Sequence, residues 1–340
     1  EGTAAWDAGA RAEQVNHAVA AAHAHDTEIN GTLTAAVTEL AVANTSEVNR
    51  YAAATEAGIS MTVRSGAGSS HYEDIGRSMF PLGIDAAIDA TVERAVRMAD
   101  PEGLEPGRYD VVFGPLAAGE LVSFFPAFGF TAPALRAGVG LAARADRVLS
   151  PLVTIADDAT RGPGLPFPFD MEGTDRRRVA MVVGGVPGDV VSDLATADVT
   201  GGSTGHAHIA REESPAPVAA NLRLEPRSGD TAALVSGVGR GVYVERLWYT
   251  RVVDAESGTI AGTTRDAAWR IEDGRLTTPL AGCRFSESVL DAFARIDAIG
   301  TAIGSHPLMN VWNGCVSAPS IRVRGFRLGL PAQSADEGVR

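Results

Sequence analysis

The chain has 340 residues, 45% of them hydrophobic and 21% charged, which is enough for one large globular domain or two ordinary ones. Its net charge of -13 argues against a duplex nucleic-acid-binding protein, which needs a basic face to neutralise phosphates. All 29 basic residues are arginines, which excludes functions that require lysine, such as a Walker A loop, a pyridoxal Schiff base or a Ser-Lys dyad.

The first 105 residues predict an α/β unit. We expect it to be the remainder of a longer unit, because the chain starts at Glu1 and not at a methionine. Helical spacing and alternating apolar positions define its elements. We predict a helix over Ala10–His25, strands over Thr32–Val42 and Ile59–Val63, a flexible loop over Ser65–Ser70 and a helix over Ile84–Ala99.

Residues 106–330 predict a second domain, in which short apolar runs alternate with glycines. Regularly spaced short strands with few helices indicate a largely antiparallel barrel or sandwich. We predict helices only over Leu116–Phe125 and Glu287–Ile299 and a tail over residues 331–340. The fold class is therefore α+β. The chain shows no basic-then-apolar leader and no run of about 18 apolar residues, so we expect a cytoplasmic location.

The histidines do not show a metal-binding pattern. A zincin helix needs two histidines four residues apart with a glutamate beside the first. His17, His23 and His25 are spaced by six and two residues, so we interpret them as surface or helix-packing residues. We interpret the isolated His71 and His306 as loop residues. The sequence thus predicts no metal site in this chain.

One segment matches a catalytic pattern, because Gly201–Gly205 fits G-x-S-x-G and His206 follows it. In a serine hydrolase, Ser203 would be the nucleophile and His206 a candidate base. That elbow needs a strand before the first glycine and a helix after the last, and the residues around it are poorly suited to both. The competing interpretation is a glycine-rich loop that approaches a neighbouring strand or a bound peptide.

Several segments, in matching order between Thr27 and Leu328, resemble the TldD/TldE (PmbA) peptidase family. They share the residues of that family's strand ends and loops, and each is short. The segments are Asn44-Thr45-Ser46, Pro106–Pro115, Phe169–Gly173, Ser203–Ala207, Asn221–Pro226, Gly241–Val244, Trp269–Gly274 and Ala318-Pro319-Ser320.

One branch of this family carries H-E-x-x-x-H after the Gly-Pro of the first C-terminal strand, with a later cysteine as third zinc ligand. Counted from Gly114-Pro115 without gaps, the motif falls on Ser123, Phe124 and Phe128, and the cysteine falls near Ser305. Serine and phenylalanine cannot replace imidazole and carboxylate as zinc ligands and base. The chain therefore resembles the metal-free TldE/PmbA branch.

The resemblance implies a non-catalytic subunit without a cofactor of its own, paired with a TldD-like subunit that carries the H-E-x-x-x-H motif and the zinc. The pair would process small or unfolded peptides, including precursors of peptide-derived natural products. We assign Ser203, Thr204, Gly205 and His206 to substrate binding, because glycine-rich strand ends suit close approach of a peptide backbone. Two alternatives are a peptide-binding homodimer and a serine hydrolase that uses Ser203 with His206.

Overall fold

Three long antiparallel strands form the N-terminal sheet of the computed structural model, which describes residues 2–79, 82–143, 149–160, 167–209, 215–308, 311 and 314–329. The strands are β1 (Glu28–Ala43), β2 (Asn49–Ser65) and β3 (Gly68–Gly76), in the order β1-β2-β3. The turn between β1 and β2 is closed by Asn44, whose side-chain oxygen accepts the backbone N–H groups of Ser46 at 2.9 Å and Val48 at 3.3 Å. This side-chain turn sets the register of the hairpin.

Two helices, α1 (Ala8–Ala24) and α2 (Ile84–Arg97), accompany this sheet, as the sequence predicts. The side chain of Asp7 begins α1 by accepting the N–H of Ala10 at 2.9 Å. The apolar residues of α2 recur at helical spacing, and its buried Ile84 and Ile88 share a core with strand residues such as Met61. The periodicity of α2 therefore defines the face that it buries against the sheet.

The predicted loop over Ser65–Ser70 is wrong, because β2 and β3 are joined there by a tight turn. Gly66 adopts a φ of 54°, and a Cβ at this position would lie 2.5 Å from the carbonyl oxygen of Ala99. Only glycine tolerates both the left-handed backbone and this close approach. The glycines that suggested flexibility instead fit the turn against the end of α2.

The chain that follows α2 contains short helices and a large mixed sheet. Its helices are α3 (Pro115–Val122), α4 (Ala132–Arg136), α5 (Ala197–Thr200), α6 (Thr231–Ser236) and α7 (Val289–Ala294). Its strands are β4 (Gly107–Phe113), β5 (Ile155–Asp157), β6 (Val179–Val183), β7 (Val186–Pro187), β8 (Ala207–Ile209), β9 (Pro215–Pro217), β10 (Asn221–Leu224), β11 (Arg240–Asp254), β12 (Thr259–Glu272), β13 (Arg275–Leu280), β14 (Arg284–Ser288), β15 (Ile296–Pro307) and β16 (Cys315–Leu328).

The sheet has the order β13-β12-β11-β4-β16-β10-β5-β6-β7, with β14 paired to β12 and β15 to β16, while β8 and β9 pair separately. Most neighbours are antiparallel, but β4 runs parallel to β11 and β10 runs parallel to β16. The α+β class is therefore confirmed. Of the two predicted C-terminal architectures, the open, sandwich-like one is correct, because the described strand path ends at β13 and β7 without closing.

The predicted helix over Glu287–Ile299 is too long. Ser288 begins α7 by accepting the N–H of Asp291 at 3.1 Å, but the helix ends at Ala294 and strand β15 begins at Ile296. In that strand Ile296 pairs with Val323 of β16. The long-range pairing overrides the local helical spacing, as tertiary context often does.

The core of this domain lies between the sheet and α3, whose Ala117, Ala118 and Leu121 are completely buried. Small side chains on α3 allow its backbone to approach the strands closely. None of the helices in the described ranges has the length and apolar character that a membrane crossing requires.

Candidate functional site

The three positions to which counting from Gly114-Pro115 assigns the metal motif lie where α3 ends. Pro115 is suited to the first turn of α3, but the helix stops at Val122, and the Ser123 hydroxyl donates to the carbonyl of Glu120 at 2.7 Å. The next residues form a 3₁₀ turn over Phe125–Phe128 that contains Pro126. Because the α-helix does not continue, Ser123, Phe124 and Phe128 are not presented on one helical face as a metal motif would require.

Phe128 belongs to the core, with only 1% of its surface exposed, and so does the completely buried Phe125. The ring of Phe125 lies 6.0 Å from that of Phe128 and 4.9 Å from that of Phe293 on α7. Aromatic pairs at such distances contribute about 0.5–1.5 kcal/mol beyond their buried area. The motif positions thus diverge: Phe128 supports the fold, while Ser123 and Phe124 reach a cleft.

This α3 cleft has a volume of about 550 Å³ and is bordered by both the N-terminal sheet and the large mixed sheet. Its walls come from α3 and the following turn, from the end of β11, from the segment before β10, from the end of β15, and from β3 of the N-terminal sheet. The lining residues are Glu73, Leu116, Glu120, Ser123, Phe124, Pro126, Ala127, Val218, Ala219, Leu222, Arg246, Leu247, Trp248, Tyr249, Thr250, His306, Pro307, Leu308 and Val311. The size suits a small molecule or a few residues of a peptide.

Glu120 is the acidic residue that α3 contributes to the cleft. Burial raises the pKa of Glu120 to about 7, opposed by the charge of Arg246 and assisted by that of Glu73. The Thr250 hydroxyl on β11 donates to the carboxylate of Glu120. A carboxyl group with a pKa near neutrality can exchange a proton at physiological pH, and such groups are frequent in functional sites.

His306 faces α3 from the end of β15 and is 8% exposed. Its Nδ1 lies 3.2 Å from the carbonyl oxygen of Pro307, which can only accept, so Nδ1 carries the proton. Burial lowers the pKa of His306, so the ring is neutral and Nε2 keeps a free lone pair. Nε2 is buried and has no hydrogen-bond partner, and a Cβ on Gly119 would lie 2.7 Å from it.

Glu73 enters the cleft from β3. Burial alone would raise the pKa of Glu73, but the neighbouring His71 and the charge of Arg246 hold it below its ordinary value. Nε2 of His71 lies 4.0 Å from the carboxylate of Glu73. Glu73 is therefore ionised at neutral pH. The interpretation of His71 and His306 as loop residues is wrong, since both lie buried on strands.

Arg246 is the one arginine among the described residues that line the cleft. Its Nη1 donates to Asp266 at 2.8 Å, and its guanidinium lies 4.5 Å from the ring centre of Trp248. Asp266 has a φ of 51° and also accepts the hydroxyl of Ser69 at 2.6 Å. Asp266 therefore pairs with Arg246, and it also lies 3.7 Å from Nε of Arg265.

The G-x-S-x-G segment lies outside this cleft and lacks the geometry of a nucleophile elbow. Helix α5 precedes it and strand β8 follows it, which reverses the order that an elbow requires. The Ser203 hydroxyl accepts the N–H of Gly205 at 3.1 Å, and Arg177 donates to the carbonyl of Ser203 at 2.8 Å. The substrate-binding role of Ser203, Thr204, Gly205 and His206 stays a prediction.

His206 faces Thr204 and Asp157 in a completely buried arrangement. Its Nδ1 lies 2.9 Å from the hydroxyl oxygen of Thr204, and its Nε2 lies 3.0 Å from a carboxylate oxygen of Asp157. The other oxygen of Asp157 accepts the N–H groups of Ala220 at 2.6 Å and Asn221 at 2.9 Å. We call Asp157, Ser192, Thr204 and His206 the Asp157 cluster.

The remaining polar atoms of the Asp157 cluster are also engaged. The Thr204 hydroxyl oxygen accepts the N–H of Ser192 at 2.7 Å and lies 3.0 Å from the Ser192 carbonyl. Burial alone would raise the pKa of Asp157, but the ion pair with His206, the N–H of Asn221 and the charge of Arg176 lower it below its ordinary value. The polar groups of this cluster therefore contact one another and the surrounding backbone.

Within the described part of the chain, no group of three or more His, Cys, Asp or Glu side chains has an arrangement that could hold a metal ion. The residues at the motif positions do not fit zinc either. Ser305, where the family cysteine would fall, is buried with its hydroxyl 3.0 Å from that of Ser317.

Comparisons with known proteins agree with this fold. The model of the PmbA/TldA metallopeptidase C-terminal domain matches residues 106–330. A Methanothermobacter thermautotrophicus protein named as a metalloprotease is 27% identical over 216 residues, which are 62% of this chain and 47% of that protein. The chain thus spans about half the length of that relative.

Solved structures show the same architecture. The crystal structure of TldE from Thermococcus kodakarensis gives a TM-score of 0.81 at 19% identity, covering 94% of this chain and 73% of that one. A Thermotoga maritima protein whose name refers to modulation of DNA gyrase gives a TM-score of 0.75 at 19% identity. The match covers 93% of this chain and 74% of the Thermotoga chain. At these identities the likeness shows the fold alone.

The fold and the matched C-terminal domain define a protein related to the TldD/TldE metallopeptidases. The chain belongs to the PmbA/TldD family.

Sequence reasoning missed Glu73, Glu120 and Arg246 and placed His306 on a loop, although all four residues line the cleft. One signal was available, since Glu120 is the only charged residue in the otherwise apolar helix α3.

Proposed function

We propose that this chain is the zinc-free subunit of a TldD/TldE-like heteromeric metallopeptidase. The partner subunit would carry the H-E-x-x-x-H motif and the zinc, and the pair would cleave small or unfolded peptides, with maturation of a peptide-derived natural product as one use. The observation that carries the proposal is the end of α3 at Val122, followed by Ser123 and Phe124 in the cleft and Phe128 in the core.

Physically, removing the ligands while retaining the cleft leaves a surface that can hold substrate or a partner but cannot activate water through zinc. Family membership supports the peptidase context. The experiment below distinguishes this proposal from the alternative of a peptide-binding homodimer. The cytoplasmic location stays a prediction.

The test is co-expression of this chain with an H-E-x-x-x-H homologue from the same genome. We expect size exclusion to show a mixed complex, elemental analysis to find zinc only when the partner is present, and peptide cleavage to require both chains. The matched control is the same complex with the motif glutamate of the partner changed to glutamine, which should assemble without cleaving. A stoichiometric zinc ion retained by this chain alone, or a homodimer that never associates with the homologue, would contradict the proposal.

A further inference from the structure

A second cleft, with a volume of about 890 Å³, lies on the large mixed sheet. Four arginines from the strands β4, β11, β14 and β16 line it, and we call it the arginine cleft: Arg108, Arg251, Arg284 and Arg327. The described lining contains only two carboxylates, those of Glu287 and Asp291. The cleft therefore keeps an excess of positive charge, although the chain as a whole carries a net charge of -13.

Two of these arginines lie directly opposite each other on the sheet. Arg108 of β4 is the cross-strand partner of Arg327 of β16, and like charges in such a pair destabilise a sheet. One carboxylate oxygen of Glu287 lies 3.2 Å from Nη1 of Arg108 and accepts the backbone N–H of Arg327 at 3.1 Å. The same oxygen lies 3.6 Å from Nη2 of Arg295. Because Glu287 is shared by two other guanidinium groups, the charge of Arg327 is left uncompensated.

Arg284 lies close to Arg327. The carbonyl of Arg284 accepts the N–H of Gly329 at 2.7 Å, and Gly329 follows Arg327 by two residues. Both arginine side chains are exposed and line the cleft. Among the described residues, neither guanidinium group has a carboxylate within ion-pair distance. These two neighbouring guanidinium groups are therefore open to an anion.

Arg251 and Tyr249 extend this surface. Arg251 and Arg284 pair with Ala261 and Thr263 of β12, which are two residues apart, so both arginines lie on the same face of that strand. The guanidinium of Arg251 lies 5.5 Å from the ring centre of Tyr249. Tyr249 is 72% exposed and has a φ of 54° at a bulge of β11. Bulges and left-handed non-glycine residues are frequent beside functional sites, where they redirect a side chain.

We propose that the arginine cleft binds a carboxylate group of a peptide, held by Arg284 and Arg327 and attracted by the charge of Arg251. A guanidinium group is a planar fork whose N–H groups match the two oxygens of a carboxylate. An incoming carboxylate would also reduce the repulsion between Arg108 and Arg327. The net charge of -13 opposes an extended polyanion such as a nucleic acid, so a small anion fits the cleft better.

Tyr249 connects the arginine cleft to the α3 cleft, because it lines both. A peptide held by its carboxylate can therefore extend past the tyrosine ring towards α3. The inference rests on the proposed function only in taking the carboxylate to belong to a peptide. A peptide has two sources of carboxylate, its C-terminus and its acidic side chains, and the probes below distinguish them.

The experiment uses the purified full chain and calorimetric titration with four probes: N-acetyl-trialanine, its C-terminal amide, N-acetyl-alanyl-glutamyl-alanine amide and sodium phosphate. We expect N-acetyl-trialanine or the glutamyl peptide to bind and the uncharged amide to fail. Arg284→Gln and Arg327→Gln should each weaken binding of the carboxylate by about threefold to tenfold, because each removes one partly exposed ion pair. Arg275→Gln, exposed at the start of β13 and outside the cleft, is the matched control and should bind as the wild type does.

Equal binding of N-acetyl-trialanine and its amide, absence of binding by both carboxylates, or indifference to both cleft substitutions would overturn the inference. Binding of phosphate without binding of either carboxylate would assign the cleft to a phosphate ligand and overturn it as well. The proposed function fails separately: association with the H-E-x-x-x-H homologue and cleavage by the pair do not depend on which peptides this chain binds alone.

Discussion

The α3 cleft and the Asp157 cluster each combine a histidine with an acidic residue and a hydroxyl, yet they differ in what their polar atoms contact. In the cluster, His206 lies between Thr204 at 2.9 Å and Asp157 at 3.0 Å, with no exposure. In the cleft, Nε2 of His306 has no partner. The same kinds of side chain therefore pair with one another in one region and line an open cleft in the other.

This difference teaches that residue type alone does not identify a functional site. Ser203 and His206 follow a catalytic pattern, but the folded chain directs His206 to Thr204 and Asp157. Glu120 and His306 follow no pattern, but they lie against an open cavity. Solvent access and unpaired hydrogen-bonding capacity separate a candidate site from a structural network.

The largest expected effect is the loss of stability on removing Asp157. Asp157→Ala would leave His206 buried without its ion pair and two backbone N–H groups without their acceptor. We expect a decrease of about 3–5 kcal/mol in the free energy of unfolding, measured by urea denaturation at neutral pH. Glu93→Ala is the surface control. A loss below about 1 kcal/mol would show that the cluster does not stabilise the fold.

The next prediction compares the loss of stability on removing the hydroxyl groups of the adjacent Thr204 and Ser203. Thr204→Val removes the acceptor of the Ser192 N–H and the contact of His206 Nδ1, so we expect a loss of about 1–3 kcal/mol. Ser203→Ala removes only a local bond to Gly205 and should stay within about 0.5 kcal/mol. Urea denaturation of both variants measures this. Equal losses would place Ser203 in the network as well.

The contributions of the two regions to the free energy of unfolding should change with pH in opposite directions. The pKa of Glu120 is raised to about 7 from its ordinary 4.5, so the folded chain keeps a proton that the unfolded chain releases. The stability contribution of Glu120 is therefore lost as pH rises from about 4.5 to about 7. The pKa of Asp157 is lowered, so its contribution is lost as pH falls below its ordinary 3.8.

The measurement is the free energy of unfolding of wild type and Glu120→Gln between pH 4.5 and pH 7.5. We expect the wild type to lose stability relative to the variant over this range. The pKa of Asp74 is also raised, to about 6, by burial, but its effect is common to both proteins and cancels in the difference. Parallel curves would show that the carboxyl group of Glu120 is not shifted by the cleft.

The last prediction is that Ser203 shows no nucleophilic reactivity. Ser203 should not react with a fluorophosphonate probe, because His206 faces Thr204 and Asp157 and cannot act as its base. The check is mass spectrometry after labelling, with an active serine hydrolase in the same tube as a positive control. Selective labelling that disappears in Ser203→Ala would restore the hydrolase alternative.

Much of the fold could be predicted from local sequence. The spacing of Ile84 and Ile88 correctly predicted α2, and Gly114-Pro115 correctly marked the start of α3. Prediction failed where distant pairing decided the outcome, as at Ile296, which pairs with Val323 instead of continuing α7. The candidate site was only partly predictable, because counting reached Ser123 and Phe124 but not Glu73 or His306.

The sequence by itself determined the class of fold, the family and the absence of H-E-x-x-x-H from the printed residues, since these depend on residue identity and local spacing. Only the tertiary structure decided which polar groups meet. β3 and β15 bring Glu73 and His306 to α3 from opposite ends of the chain; there, neighbouring groups lower the pKa of Glu73 and burial lowers the pKa of His306. Which polar groups meet, and how their pKa values shift, depends on long-range contacts and on desolvation. No single position in the sequence encodes either of these effects.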